Sequence, residues 1–191
     1  SLGRTAGIQR NIHDLTRAEL SQIKLENGEP IAFFYEFIRE FAGLSWVLDI
    51  KPEWGRETVT ALERWATANN ASELLCAHAK FLLWNVAHER QLCAAFPSAQ
   101  LYAQSPECWR VGLVALASRG LVNTARRTRT YAIPPVLGGI PLFSKWIVES
   151  FHKRGAKVLA FTPSNDAQAR AAVAAGFDEI LTDYPIPSGV R

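Results

Sequence analysis

With 191 residues the chain has room for one domain or slightly more, and for a substantial core. Its 48% hydrophobic and 20% charged content is ordinary for a globular protein, and a net charge of +3 is too small to mark a nucleic-acid binder. No apolar run approaches the ~20 residues that cross a bilayer, so stable membrane insertion is not expected.

The N-terminus has no secretory pattern. Cys76, Cys93 and Cys108 are odd in number and lack CxxC spacing, which reads as reduced, small hydrophobic residues of a cytoplasmic protein. The chain holds no methionine, even at position 1, so residues upstream of Ser1 are expected.

Ser1 to Gln9 is polar with two glycines and reads as a loop. Thr16 and Glu19 have capping-box spacing ahead of Leu20 and Ile23, which predicts a short helix from Thr16 to Ile23. His13-Asp14 reads as a turn and cap, because neighbours in sequence rarely face one reacting atom. Glu26 to Pro30 is a turn around Gly28. Phe33, Phe34, Phe37, Ile38 and Phe41 follow at helical spacing, as a helix from Phe33 to Ala42 with a core-facing stripe.

Trp46 to Lys51 is bulky and apolar, with Gly43 before it and Pro52 after it, and reads as a buried strand. Alternation puts Val47, Asp49 and Lys51 on one face. A carboxylate and an ammonium therefore share a face at the strand's C-terminal end, where α/β folds bind ligands. Two readings stand: a structural ion pair, or a pair that handles a ligand.

A helix is expected from Glu57 to Ala68, a strand from Lys80 to Val86, and a helix from His88 to Phe96. The strand Ala99 to Ala103 leads into a helix that holds Val111, Val114 and Ala117 and ends at Gly120. Leu121 to Asn123 is read as a fourth, short strand. Arg126 to Gly139 is irregular. Its run of Arg126, Arg127 and Arg129 is a solvated loop, an anion-attracting loop or a nucleic-acid contact. A helix from Pro141 ends in His152-Lys153-Arg154-Gly155, followed by the strand Lys157 to Thr162. Asn165 or Asp166 caps a helix from Ala167 to Ala175 that ends at Gly176, and Asp178 to Asp183 is the sixth strand, closed by Tyr184-Pro185.

Short apolar strands joined by helices imply a parallel sheet, either open and doubly wound or a (β/α) barrel. No strand is followed by a GxGxxG or GxxxxGK[ST] loop, and there is no GxSxG or HExxH motif.

The C-terminal third carries a resemblance. Gly155-Ala156-Lys157-Val158-Leu159-Ala160-Phe161-Thr162, a capped helix, and then Ala175-Gly176-Phe177-Asp178-Glu179-Ile180-Leu181-Thr182-Asp183-Tyr184-Pro185 resemble the last two βα units of the glycerophosphodiester phosphodiesterase family. Leu48-Asp49-Ile50-Lys51 is similar to that family's Glu-Leu-Lys strand. Asp14 to Leu20 and Gly28 to Ile31 are similar to the segment before it, and Leu2 to Gly7 to the stretch after the family's His-Asp pair.

The resemblance implies a (β/α) TIM-type barrel across residues 1–191, incomplete with about six of the family's eight strands. It implies metal-dependent hydrolysis of glycerophosphodiesters in lipid metabolism, with Mg²⁺ or Ca²⁺. Asp49 would be a metal ligand and Lys51 would bind phosphate, while Gln104, Asn123 and Phe161 would line the pocket. The family's His-Arg-Gly strand, Glu-x-Asp strand and later His-Asp have no match here, so the catalytic histidines are not in this chain. Asp49 stands where the family has Glu, and Phe161 where it has Trp. A non-catalytic binding or scaffold module is therefore the alternative. The two edges of an incomplete barrel would be covered by the N-terminal segment or, as the preferred outcome, by a second copy in a homodimer.

Overall fold

A computed structural model describes residues 2–183. The chain divides after Leu44 into two compact units. In the first unit α1 (Gly3–Ala6) precedes a 3-10 turn, Ile12–Asp14, that contains His13 and Asp14. The expected cap opens α2 (Arg17–Gln22): Thr16 Oγ1 accepts from Glu19 N–H, and Glu19 Oε2 accepts from Thr16 N–H at 2.8 Å. The aromatic segment forms α3 (Phe34–Glu40), but only Ile38 of that helix is buried, and Phe41 is 42% exposed. The stripe is thus half-buried, not core.

The second unit follows the alternation read from the sequence. β1 (Trp46–Ile50) leads through α4 (Gly55–Ala68) and α5 (Ser72–His78) to β2 (Ala79–Leu83). Then come α6 (Val86–Ala95), β3 (Gln100–Tyr102), α7 (Ser105–Ala117) and β4 (Arg129–Ile133). A two-stranded antiparallel hairpin, β5 (Val136–Leu137) and β6 (Ile140–Pro141), precedes α8 (Lys145–His152), β7 (Lys157–Phe161), α9 (Asp166–Ala175) and β8 (Glu179–Leu181). Helix α5 was not anticipated. Asn70, at φ 51, stops α4 and lets a new helix begin. Helix α9 carries the caps expected of it at both ends: Asn165 Oδ1 accepts from Gln168 N–H, and Gly176 closes it at φ 86. Tyr184-Pro185 lies outside the described residues.

The six strands form one parallel sheet in the order β1-β2-β3-β4-β7-β8. Among the described residues β1 and β8 each pair on one side only. The sheet is strongly curled. In a flat sheet four strand steps would set β2 and β8 about 19 Å apart, further than a lysine and a glutamate reach together. Yet Lys80 of β2 pairs with Glu179 of β8, and Tyr102 Oη of β3 donates to Glu179 Oε2 at 2.7 Å. The architecture is a parallel half-barrel wrapped by helices.

One strand is not where it was expected. Leu121 is 90% exposed and Val122 54%, and neither is in a strand. The fourth strand falls instead on Arg129–Ile133, inside the segment read as irregular. Thr130, Tyr131 and Ile133 are good strand formers. Arg129, at 8% exposed, is tolerated there because Glu89 of α6 and Glu107 of α7 both pair with it. The arginine run is therefore no simple solvated loop.

The outer face of the sheet packs on the helices. Tyr131, Ile133 and Val158 join Val111, Ile147, Val148 and Phe151 in one cluster, and Tyr131 meets Phe151 with ring centroids 5.2 Å apart. Phe81, fully buried, faces Phe96 at 6.4 Å. Each such side chain contributes about 1.5–3 kcal/mol by leaving water.

Candidate active site

Strand register decides which side chains face into the half-barrel. Val47 aligns with Lys80, Asp49 with Leu82, Lys80 with Gln100, Tyr102 with Thr130, Thr130 with Lys157, and Leu159 with Glu179. Neighbours in register share a face. Asp49 therefore points inward near the C-terminal ends of the strands, as do Leu82 and Phe161.

Asp49 and Lys51 meet there, as the alternation predicted. The Lys51 ammonium contacts Asp49 Oδ2, and Trp84 Nε1–H donates to Asp49 Oδ1 at 2.8 Å. Lys51 Nζ also lies 5.4 Å from the centroid of the Trp84 ring, a cation–π distance. One indole thus holds both members of the pair. Trp84 was not singled out from the sequence. The signal was present in the register: β1 and β2 pair as far as Ile50 with Leu83, and one more step brings Lys51 level with Trp84. The Asp49 side chain is 35% exposed and that of Lys51 64%, so the pair opens to solvent.

Beside this trio lies a cavity of about 1000 Å³. Val47, Leu82, Trp84, Gln104 and Phe161 line it, and it reaches Trp109 on α7. The wall is mainly apolar. Asp49 and Lys51 sit next to the cavity, through Val47 and Trp84, without being part of its lining. Gln104 and Phe161 stand where expected, but the Gln104 amide is engaged, with Nε2–H donating to Glu89 Oε2 at 2.8 Å. Asn123 stands elsewhere. It follows α7 in a loop, donates to Ser150 Oγ at 3.1 Å and accepts from Ala125 N–H at 2.8 Å. Its expected place depended on a strand at 121–123 that the fold does not contain.

The opposite, N-terminal end of the inner face is closed by Lys80, Glu179 and Tyr102. Burial pushes the Lys80 ammonium below its ordinary range, the nearby Lys157 ammonium adds to that push, and Asp178 opposes it. Burial raises the Tyr102 phenol to about 12, so it stays a donor to Glu179. This end has the character of a clamp. The histidines have other work. His152 Nε2 pairs with Asp178 Oδ2 at 2.9 Å, and His88 packs so tightly on Gly55 that a Cβ there would lie 2.1 Å from its Nδ1.

The parallel half-barrel agrees with what comparison finds. The sequence model of the glycerophosphoryl diester phosphodiesterase family matches residues 1–186. The chain belongs to this family. In fold it is similar to a glycerophosphoryl diester phosphodiesterase from Parabacteroides distasonis, with a TM-score of 0.62 at 19% identity over 97% of this chain and 65% of that one. It is also similar to the glycerophosphoryl diester phosphodiesterase domain of an uncharacterized protein from Mycobacterium tuberculosis, with a TM-score of 0.72 at 14% identity over 93% of this chain and 75% of that one. The chain thus spans less than two thirds of the first structure's length. No curated protein is matched by the sequence.

Family membership raises the matter of a divalent metal. A hard cation such as Mg²⁺ or Ca²⁺ takes six or so oxygen ligands. Among the described residues no group of three or more histidine, cysteine or acidic side chains could hold one. Asp49, the one carboxylate brought to the mouth by the family-like strand, already has both oxygens engaged, by Trp84 and Lys51. The residues present do not by themselves fit the metal. Among the described residues no helix is long and apolar enough to cross a membrane.

Proposed function

We propose that this chain is part of a phosphodiesterase that acts on small glycerophosphodiesters, and that Asp49, Lys51 and Trp84 form its phosphate-handling corner. The observation that carries the reading is the convergence of all three at the C-terminal mouth of a half-barrel from this family. Lys51 is the group suited to offset charge on a non-bridging phosphate oxygen. Asp49 fixes the ammonium from one side, and the indole supports it from another. The apolar wall with Phe161 and Trp84 suits the carbon skeleton of the substrate. A divalent ion would require oxygen ligands beyond Asp49. Free, partly buried thiols, each pushed up by burial and so kept protonated, support a cytoplasmic setting.

The second reading is a non-catalytic member that binds without hydrolysing. It is favoured by the lack, among the described residues, of a metal-ligand cluster. Both readings require binding at the mouth, and only the first requires turnover. Titration of the chain with glycerophosphocholine measures binding, and Lys51→Met should abolish it. Binding unchanged in Lys51→Met would refute the assignment of this corner. Incubated with Mg²⁺ or Ca²⁺, the 191-residue chain alone should show negligible hydrolysis, because no acid–base pair matches the family motif. Robust turnover that disappears in Asp49→Ala would refute that account.

A further inference from the structure

The arginine run singled out in the sequence is not used by the mouth of the half-barrel. It lies at the other end. A hollow of about 520 Å³ opens there, lined by Ser98, Arg126, Arg127, Thr128, Arg129 and Lys157 among others. Arg129 and Lys157 begin β4 and β7, and Gln100, which begins β3, also borders it.

The charges around this hollow do not balance. Four cations line it, and no carboxylate does. Arg129 is compensated from behind by Glu89, and Glu107 reaches both Arg126 at 3.4 Å and Arg129 at 3.7 Å. Two carboxylates thus answer four cations. Among the described residues Arg127 and Lys157 have no ion-pair partner, and both are exposed. Asp178, just before β8, is occupied by His152 and by the N–H of Val158, and Glu179 of β8 by Lys80.

The site is also built, not a chance meeting of long side chains. Gly155, at φ +70, carries the turn into β7, and a Cβ there would come within 2.9 Å of Arg127 Cγ. The arginine stem is seated in the space a side chain would take. Glu89 and Glu107 fix the other guanidinium groups from the helix side. Like charges gathered in one concavity raise its potential and draw an anion into it.

We propose that this hollow binds a small phosphate dianion, as inorganic phosphate or as a phosphomonoester. The two uncompensated positive charges match its charge, the arginine forks match its oxygens, and Ser98 and Thr128 offer hydroxyl donors beside them. The site is separate from the Asp49–Lys51 corner and stands whether or not the chain hydrolyses a phosphodiester.

Calorimetric titration of the full chain with inorganic phosphate, and separately with glycerol phosphate, tests this. Saturable binding is expected for at least one of them. Arg127→Gln and Lys157→Gln should each weaken it about tenfold, with Arg127→Lys recovering part of the loss and Lys51→Met leaving it within about twofold. Both residues are exposed, so the thermal midpoint of each variant should match the parent. Tighter inorganic phosphate would assign phosphate itself, and tighter glycerol phosphate a phosphomonoester. Three results would overturn the proposal: no saturable binding of either anion up to about 10 mM, binding that survives both neutral substitutions, or binding lost in Lys51→Met instead.

Discussion

Replacing Glu179 with glutamine removes a charge from the base of the half-barrel and almost nothing else. Glutamine keeps the shape and can still accept from Tyr102 Oη, but it leaves the Lys80 ammonium unpaired. The Lys80 side chain is 13% exposed and that of Glu179 29%. Breaking a fully buried pair from one side costs about 3–5 kcal/mol, and the partial exposure of Glu179 places the expected loss at about 2–3 kcal/mol. Lys80 can also shed its proton. From an ordinary value of 10.5 that route limits the cost at neutral pH to about 5 kcal/mol.

For a chain of this size the loss corresponds to a fall of about 5–10 °C in the thermal midpoint. The pH dependence has a definite sign. The folded-state pKa of Lys80 lies below its unfolded value, so stability rises with pH between the two, as the lysine becomes neutral in the fold first. Removing Glu179 deepens that depression. The gap between Glu179→Gln and the parent should therefore narrow toward pH 10. The double variant Lys80→Met with Glu179→Gln removes the stranded charge and should return to within about 1 kcal/mol of the parent. Thermal unfolding followed by circular dichroism measures all three. A single variant within about 1 °C of the parent, or a double variant as damaged as the single, would refute the clamp.

Trp84→Phe keeps an aromatic ring under Lys51 but loses the N–H to Asp49. It should weaken glycerophosphodiester binding about three- to tenfold, with Trp84→Ala worse, and its effect should not add to that of Asp49→Ala in a double-mutant titration. Burial alone would raise the Glu89 carboxyl, but its hydrogen bonds and charge contact with Arg129 win and hold it below 4.5. That stability is present above 4.5 and lost as pH falls through the lower folded value, so Glu89→Gln should flatten the acid limb of the stability profile. Among the described residues β1 and β8 each pair on one side only, which favours a homodimer, and sedimentation at micromolar concentration should find one; a well-behaved monomer would refute it.

The half-barrel was legible where local signals agreed. From Lys157 onward, strand formers, an Asn cap and a terminating glycine all point to the same units, and β7 and α9 stand within a residue of the reading, while β8 is confined to Glu179–Leu181 of the expected 178–183. Strand β4 was hidden because its first residue is an arginine. What makes Arg129 acceptable in a buried strand is a pair of glutamates 40 and 22 positions earlier in the chain, on two different helices. No local pattern carries that information. The exposed Leu121-Val122 pair imitated a strand in its place, and Asn123 was misplaced with it. Asp49 and Lys51 needed only alternation to be put on one face. Trp84 needed the register between two strands, which the sequence does not state.

The two inner-face ion pairs show how exposure separates structure from chemistry. Lys80 and Glu179 are largely enclosed, so their pairing bears on folding. Asp49 and Lys51, at 35% and 64% exposed, form a pair whose worth to stability is about 0–1 kcal/mol. Stability therefore gives little reason to keep a carboxylate, an ammonium and an indole together at the mouth. It also means that Asp49 and Lys51 can be substituted without unfolding the chain, so a loss of binding in those variants reads directly on the site. The base of the half-barrel lacks that freedom, and a variant there must be judged first by its midpoint.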